Sequence, residues 1–159
     1  MITNDVKEEY AAFAKKYKLP HYDELNQEFE LLYFTNVYEI PFVLRFVRRR
    51  MNDRISTFAH TLQVLLHPNP GSFISLEESS FLTDEGKHKA SSLLKELMKF
   101  TRESTLLDVN FDEKKDAAFI RDAYLFLKNV RGDLYSLLEK VKKGWESQAK
   151  EESNEQYFG

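Results

Sequence analysis

The sequence predicts an all-α fold, an irregular bundle of about five to six helices with a long central helix at about 41–67, and three observations carry that expectation. Apolar residues recur every third or fourth position along most of the 159-residue chain, which is the spacing of a helix face. Only five glycines and four prolines interrupt the pattern. Between Pro41 and His67, the residues Leu44, Val47, Met51, Ile55, Phe58, Leu62 and Leu65 all fall in one narrow sector at about 100° per residue.

Taken in order, Asn4 is positioned to cap a first helix with Val6, Tyr10, Phe13 and Tyr17 on its inner face, and Pro20 ends it by disfavouring helix at Leu19. Asp23 marks the start of a second helix striped by Leu25, Phe29 and Leu32. The following "YFTNVYEIP" reads either as an extended link or as an early helical turn, with Asn36 and Glu39 as a capping box. After the central helix, "HPNPG" forces a stop, Ser75 and Glu78 suit a short capped helix, and Thr83 starts the next, whose buried side is Leu93, Leu94, Leu97 and Met98. Asp112 caps a run through Phe119, Ile120, Tyr124 and Leu127. The pattern resumes after Gly132 with Leu134, Leu137, Leu138, Val141 and Trp145, so two helices are expected there. Beyond Trp145 the periodicity is lost. The expected organisation is a single helical domain at 1–148 and a flexible C-terminal tail at 149–159.

An apolar share of 42% is enough for a folded core and too high for general disorder. The absence of cysteine excludes disulfide frameworks, thiolate nucleophiles, zinc ribbons and cysteine-ligated clusters. "MITNDVKEEY" is acidic and polar where a secretory leader needs positive charge and then an apolar run, and the expected location is cytoplasmic. The apolar runs are short, such as "IPFVL", so no membrane span is expected.

The most distinctive stretch is "RFVRRRMNDR", with Arg45, Arg48, Arg49, Arg50 and Arg54 in ten positions of a chain whose net charge is −3. From residue 40 to 68, five arginines against Asp53 leave a local balance of +4, so the rest of the chain carries −7. On a helical wheel Arg48 and Arg54 flank the apolar stripe. They are expected to be structural arginines, with stems over the core and heads on carboxylates of neighbouring helices. Arg45 and Arg49 point away from the core and Arg50 lies between. These three, with Tyr38 and Phe46, are the expected contacts for a partner or a phosphate. The nearby rings of Phe29, Tyr33, Phe34, Tyr38, Phe42 and Phe46 suit base stacking. Yet the four-residue spacing of 34, 38, 42 and 46 is that of a packed stripe, and where exposed such rings suit a protein interface.

Signals for catalysis are sparse. Asp53, Ser56 and His60 share the polar side of the central helix, but seven residues separate Asp53 from His60, about 10.5 Å along the axis and beyond hydrogen-bond reach. His21, His60, His67 and His88 form no metal-binding pair at helical spacing. Glu77 with Glu78 and Asp84 with Glu85 are expected in first helical turns, offsetting the helix dipole. "NPGS" lacks the lysine of a phosphate loop. Arg54 and His60 resemble the arginine-to-histidine spacing of the HEPN ribonucleases, a helical family whose nuclease members often act as dimers. The likeness covers seven residues and departs at Ile55, where the family has a polar residue. It implies a helical ribonuclease as a third reading.

The leading expectation is a non-enzymatic interaction module, an adaptor or assembly subunit, using the surface around residues 33–54 against a protein partner or a second copy. The alternative is a nucleic-acid-binding accessory protein using Arg45–Arg54. No catalytic residue, cofactor, metal or small-molecule ligand is assigned.

Overall fold

The computed structural model describes residues 2–31 and 42–155, with side chains for 6–31 and 42–153. Tyr38 and the proposed capping box at Asn36 and Glu39 lie outside the described residues. Among those described there are six helices and no strand: α1 (Ile2–Tyr17), α2 (Tyr22–Phe29), α3 (Val43–Leu66), α4 (Phe73–Ser80), α5 (Asp84–Val109) and α6 (Glu113–Glu155). The fold is an all-α bundle with a long central helix. No described helix is long and apolar enough to cross a membrane.

Local chemistry sets most helix ends. Thr83 Oγ1 accepts from the Gly86 amide at 3.1 Å and Asp112 Oδ1 from the Lys115 amide at 3.0 Å, so both expected caps are in use. Three starts differ from expectation. α1 begins at Ile2, ahead of Asn4. α2 begins at Tyr22, with His21 extended as its cap and the His21 amide donating to Glu24 Oε2 at 2.9 Å. α4 is capped by Ser72, whose Oγ accepts from the Ser75 amide at 3.3 Å, and Ser75 itself is buried. That earlier start moves Glu77 and Glu78 out of the first turn.

The expected break near Gly132 is absent, and α6 runs unbroken through Glu155. A helical glycine costs only about 1 kcal/mol relative to alanine. The buried positions Ile120, Ala123, Leu127, Leu134, Leu137 and Val141 keep one helical register across it.

The chain forms two compact units, Met1–Phe58 with Glu96–Asn129, and Ala59–Lys95 with Val130–Gly159. α3, α5 and α6 each contribute to both. In the first unit, Tyr10, Leu25, Val47, Met51, Ile55, Leu97 and Ile120 are wholly buried. Phe100 meets the rings of Phe119 and Phe126 at 5.7 and 5.3 Å between centroids. In the second unit, Leu62, Leu65, Ala90 and Leu137 are buried. There α4 docks on α6: Phe81 meets Trp145 edge-on at 5.3 Å, Trp145 Nε1 donates to Glu78 Oε1 at 3.1 Å, and Gln148 Nε2 donates to Glu77 Oε2 at 2.6 Å. Gly144 permits this approach, since a Cβ there would lie 2.3 Å from the Phe81 ring.

Candidate functional site

The arginine-rich turns of α3 belong to the first unit, where the C-terminal end of α5 and the start of α6 meet them. Arg48 does not sit at the rim of the stripe: its side chain exposes no surface. Its Nε donates to Asp116 Oδ1 at 2.5 Å, Nη1 to the Ser104 carbonyl at 2.8 Å and to Ser104 Oγ at 2.5 Å, and Nη2 to Asp108 Oδ1 at 2.5 Å. The planar guanidinium fork suits this arrangement because each edge of the group faces an acceptor. Asp116 is also wholly buried, and its Oδ2 has no hydrogen-bond partner among the described residues.

The two carboxyls respond oppositely. Burial pushes Asp116 above the ordinary aspartate value, outweighing the pull of Arg48 and Arg45. Partial burial also pushes Asp108 upward, but hydrogen bonds and charge from Arg48 and Arg49 outweigh it and hold that carboxyl below its ordinary value.

Three other arginines are also ion-paired. Arg49 Nε lies 2.9 Å from Asp108 Oδ1, Arg50 Nη1 lies 3.2 Å from Asp53 Oδ2, and Arg54 Nη1 lies 3.3 Å from Glu30 Oε2. Arg50 and Arg54 also lie over the rings of Phe46 and Phe58, 5.5 Å from each centroid. Phe46 is half-buried. Arg45 is different: its guanidinium lies 4.7 Å from the Phe111 centroid and 5.7 Å from that of Phe42. Phe42 and Phe111 are themselves 5.2 Å apart and 50% and 38% exposed. Leu106 and Val109, one turn apart on α5 and just before Phe111, are 63% and 82% exposed. Arg45 thus stands over two part-exposed rings at the α5–α6 junction.

Sequence reasoning did not identify Ser104, Asp108, Asp116, Leu106, Val109 or Phe111. A signal existed for two of them. Asp116 continues the apolar register of Ile120, Ala123 and Leu127 toward the helix start, and Ser104 continues that of Leu97 toward Leu107, so both are polar residues on buried stripes. Leu106, Val109 and Phe111 carry no such signal, since isolated apolar residues near a helix end are ordinary.

For the other chemistry considered, Asp53 is held by Arg50 and all four histidines are exposed. Arg54, the arginine of the HEPN-like spacing, is held by Glu30. Among the described residues no group of three or more histidine, aspartate or glutamate side chains is placed to hold a metal. A scan of protein-family models and searches of curated proteins and solved structures find no significant match to this chain.

Proposed function

We propose that this chain is a helical protein-interaction module, acting by binding and not by catalysis, with its contact surface centred on Arg45 at the α5–α6 junction. The observation that carries this reading is the stacking of Arg45 against two part-exposed rings, with the exposed Leu106 and Val109 on the last turns of α5 leading into Phe111. Arginine and aromatic residues are enriched where protein partners bind, and contiguous exposed apolar groups gain most from being covered. A phosphate-tracking surface needs cationic heads that are not already neutralised. Arg48, Arg49, Arg50 and Arg54 all face carboxylates, which weighs against nucleic acid as the partner.

The test is site-directed photo-crosslinking in the native host. A benzoyl-phenylalanine replacing Val109 is expected to trap a discrete protein, a second copy included, in a product that resists nuclease. Phe111→Ser in the same chain is expected to abolish it, and the same crosslinker replacing Asp122, exposed on α6, is expected to trap nothing specific. Nuclease-sensitive products alone, or a product indifferent to Phe111→Ser, would reject the surface.

A further inference from the structure

The first unit also contains a cavity of about 490 Å³ between α1 and α2, within the range of small-ligand sites. Its walls combine an apolar body with three lysines and a single carboxylate, Asp23, which is engaged by Lys7. Tyr10, Ala14 and Leu19 supply carbon surface, and Lys15 and Lys18 stand at the end of α1. Tyr10 Oη donates to the Pro20 carbonyl at 3.0 Å, and the Tyr10 and Tyr22 rings meet edge-on at 5.7 Å, so the turn joining the helices is held before anything binds. Tyr22 also lines the cavity, and its buried hydroxyl has no hydrogen-bond partner among the described residues.

The lysines divide in an informative way. Lys7 is neutralised by Asp23 at 2.8 Å, and Lys16, which does not line the cavity, binds Glu113 at 2.8 Å. Lys15 and Lys18 have no carboxylate partner among the described residues. Lys18 further occupies the left-handed region, with φ of 54°, immediately after α1, while the Leu19 amide returns to the Ala14 carbonyl at 3.0 Å. Glycine is the usual residue at that position of this helix-ending motif, because a side chain there is strained. The chain's other described left-handed residue, Glu30, ends α2 and holds Arg54. A strained backbone position that keeps a cation on a cavity wall, in a chain of net charge −3, points to a use for that cation.

We propose that this cavity binds a small amphipathic anion, a carboxylate on a compact apolar or aromatic body. The carboxylate lies between Lys15 and Lys18, and the body packs on Tyr10, Ala14 and Leu19.

The experiment is a titration of the full chain with 2-naphthoate, followed by amide chemical shifts. Saturable shifts centred on residues 7–23 are expected, with 2-naphthylmethylamine producing none there. Lys18→Gly separates binding from folding, since it relieves the backbone strain: its melting temperature is expected to equal or exceed that of the parent while naphthoate binding weakens. Combining it with Lys15→Gln should weaken binding by about tenfold or more, whereas Lys16→Gln should leave it unchanged. Absence of shifts at 7–23 at millimolar naphthoate, equal binding of the amine, or parental affinity in the double variant would each overturn the proposal.

Discussion

Arg48 and Asp116 lie 2.5 Å apart, Nε to Oδ1, and neither side chain exposes surface to solvent. Such a pair is costly to break, because either partner left alone is a buried charge without compensation. Arg48→Ala is therefore expected to destabilise the protein by about 3–5 kcal/mol in urea unfolding, since the buried Asp116 loses its partner and Asp108 keeps only Arg49. The double change Arg48→Met with Asp116→Leu should recover most of that loss, because an apolar pair of similar volume does not need desolvated charge to be repaid.

Arg54 should behave unlike Arg48, although the helical wheel places the two symmetrically about the stripe. Its side chain is 39% exposed and its bond to Glu30 is 3.3 Å. Arg54→Ala is expected to cost about 0.5–1 kcal/mol in the same unfolding measurement, from a partly solvated ion pair and lost packing on Phe58. A cost equal to that of Arg48→Ala would contradict the difference in burial.

The Arg48 site also shapes acid stability. The Asp108 carboxyl titrates below its ordinary value of 3.8, so its contribution is complete above that value and is lost as pH falls through the lower folded one. Asp108→Asn should accordingly flatten the acid limb of a stability profile. Asp116 has the opposite sign. Its carboxyl titrates above 3.8, so its contribution is complete below that value and is lost as pH rises through the folded one. Thermal melts of the parent and Asp108→Asn across the acid range check the assignment.

Two glycines of α6 should respond oppositely to alanine. At Gly132 an added methyl would meet nothing within 4 Å, so Gly132→Ala is expected to stabilise by about 0.5–1 kcal/mol through helix propensity. At Gly144 the methyl would lie 2.3 Å from the Phe81 ring, and Gly144→Ala is expected to cost about 1–3 kcal/mol as the α4 contact is forced apart. Calorimetric melts of the two variants read the difference directly.

The end of α6 supplies a last comparison. Residues 149–153 are exposed, so ending the chain after Gln148 is expected to change stability by no more than about 0.5 kcal/mol. Trp145→Ala removes the edge contact with Phe81 and the hydrogen bond to Glu78, and should cost about 3–5 kcal/mol. Urea unfolding distinguishes them.

Periodicity alone determined the helical class of this protein and the buried face of its central helix. Leu44, Val47, Met51, Ile55, Leu62 and Leu65 are all buried where their spacing puts them, because which face of a helix meets the core is a local property of the chain. The caps at Thr83 and Asp112 were legible for the same reason, since each satisfies an amide only three residues away. The apparent stop at Gly132 was misleading because the residue weakens a helix by less than the continuing apolar register of α6 gains through packing. The division among the five arginines required tertiary contacts. Asp116 lies 68 residues from Arg48, Asp108 lies 59 from Arg49, and Phe111 comes from another helix junction altogether, so no spacing within α3 could show which guanidinium would be buried, paired or stacked. A charged side chain takes its role from the acceptors that other segments bring to it, and those are set by long-range packing, whereas an apolar stripe is written into its own helix.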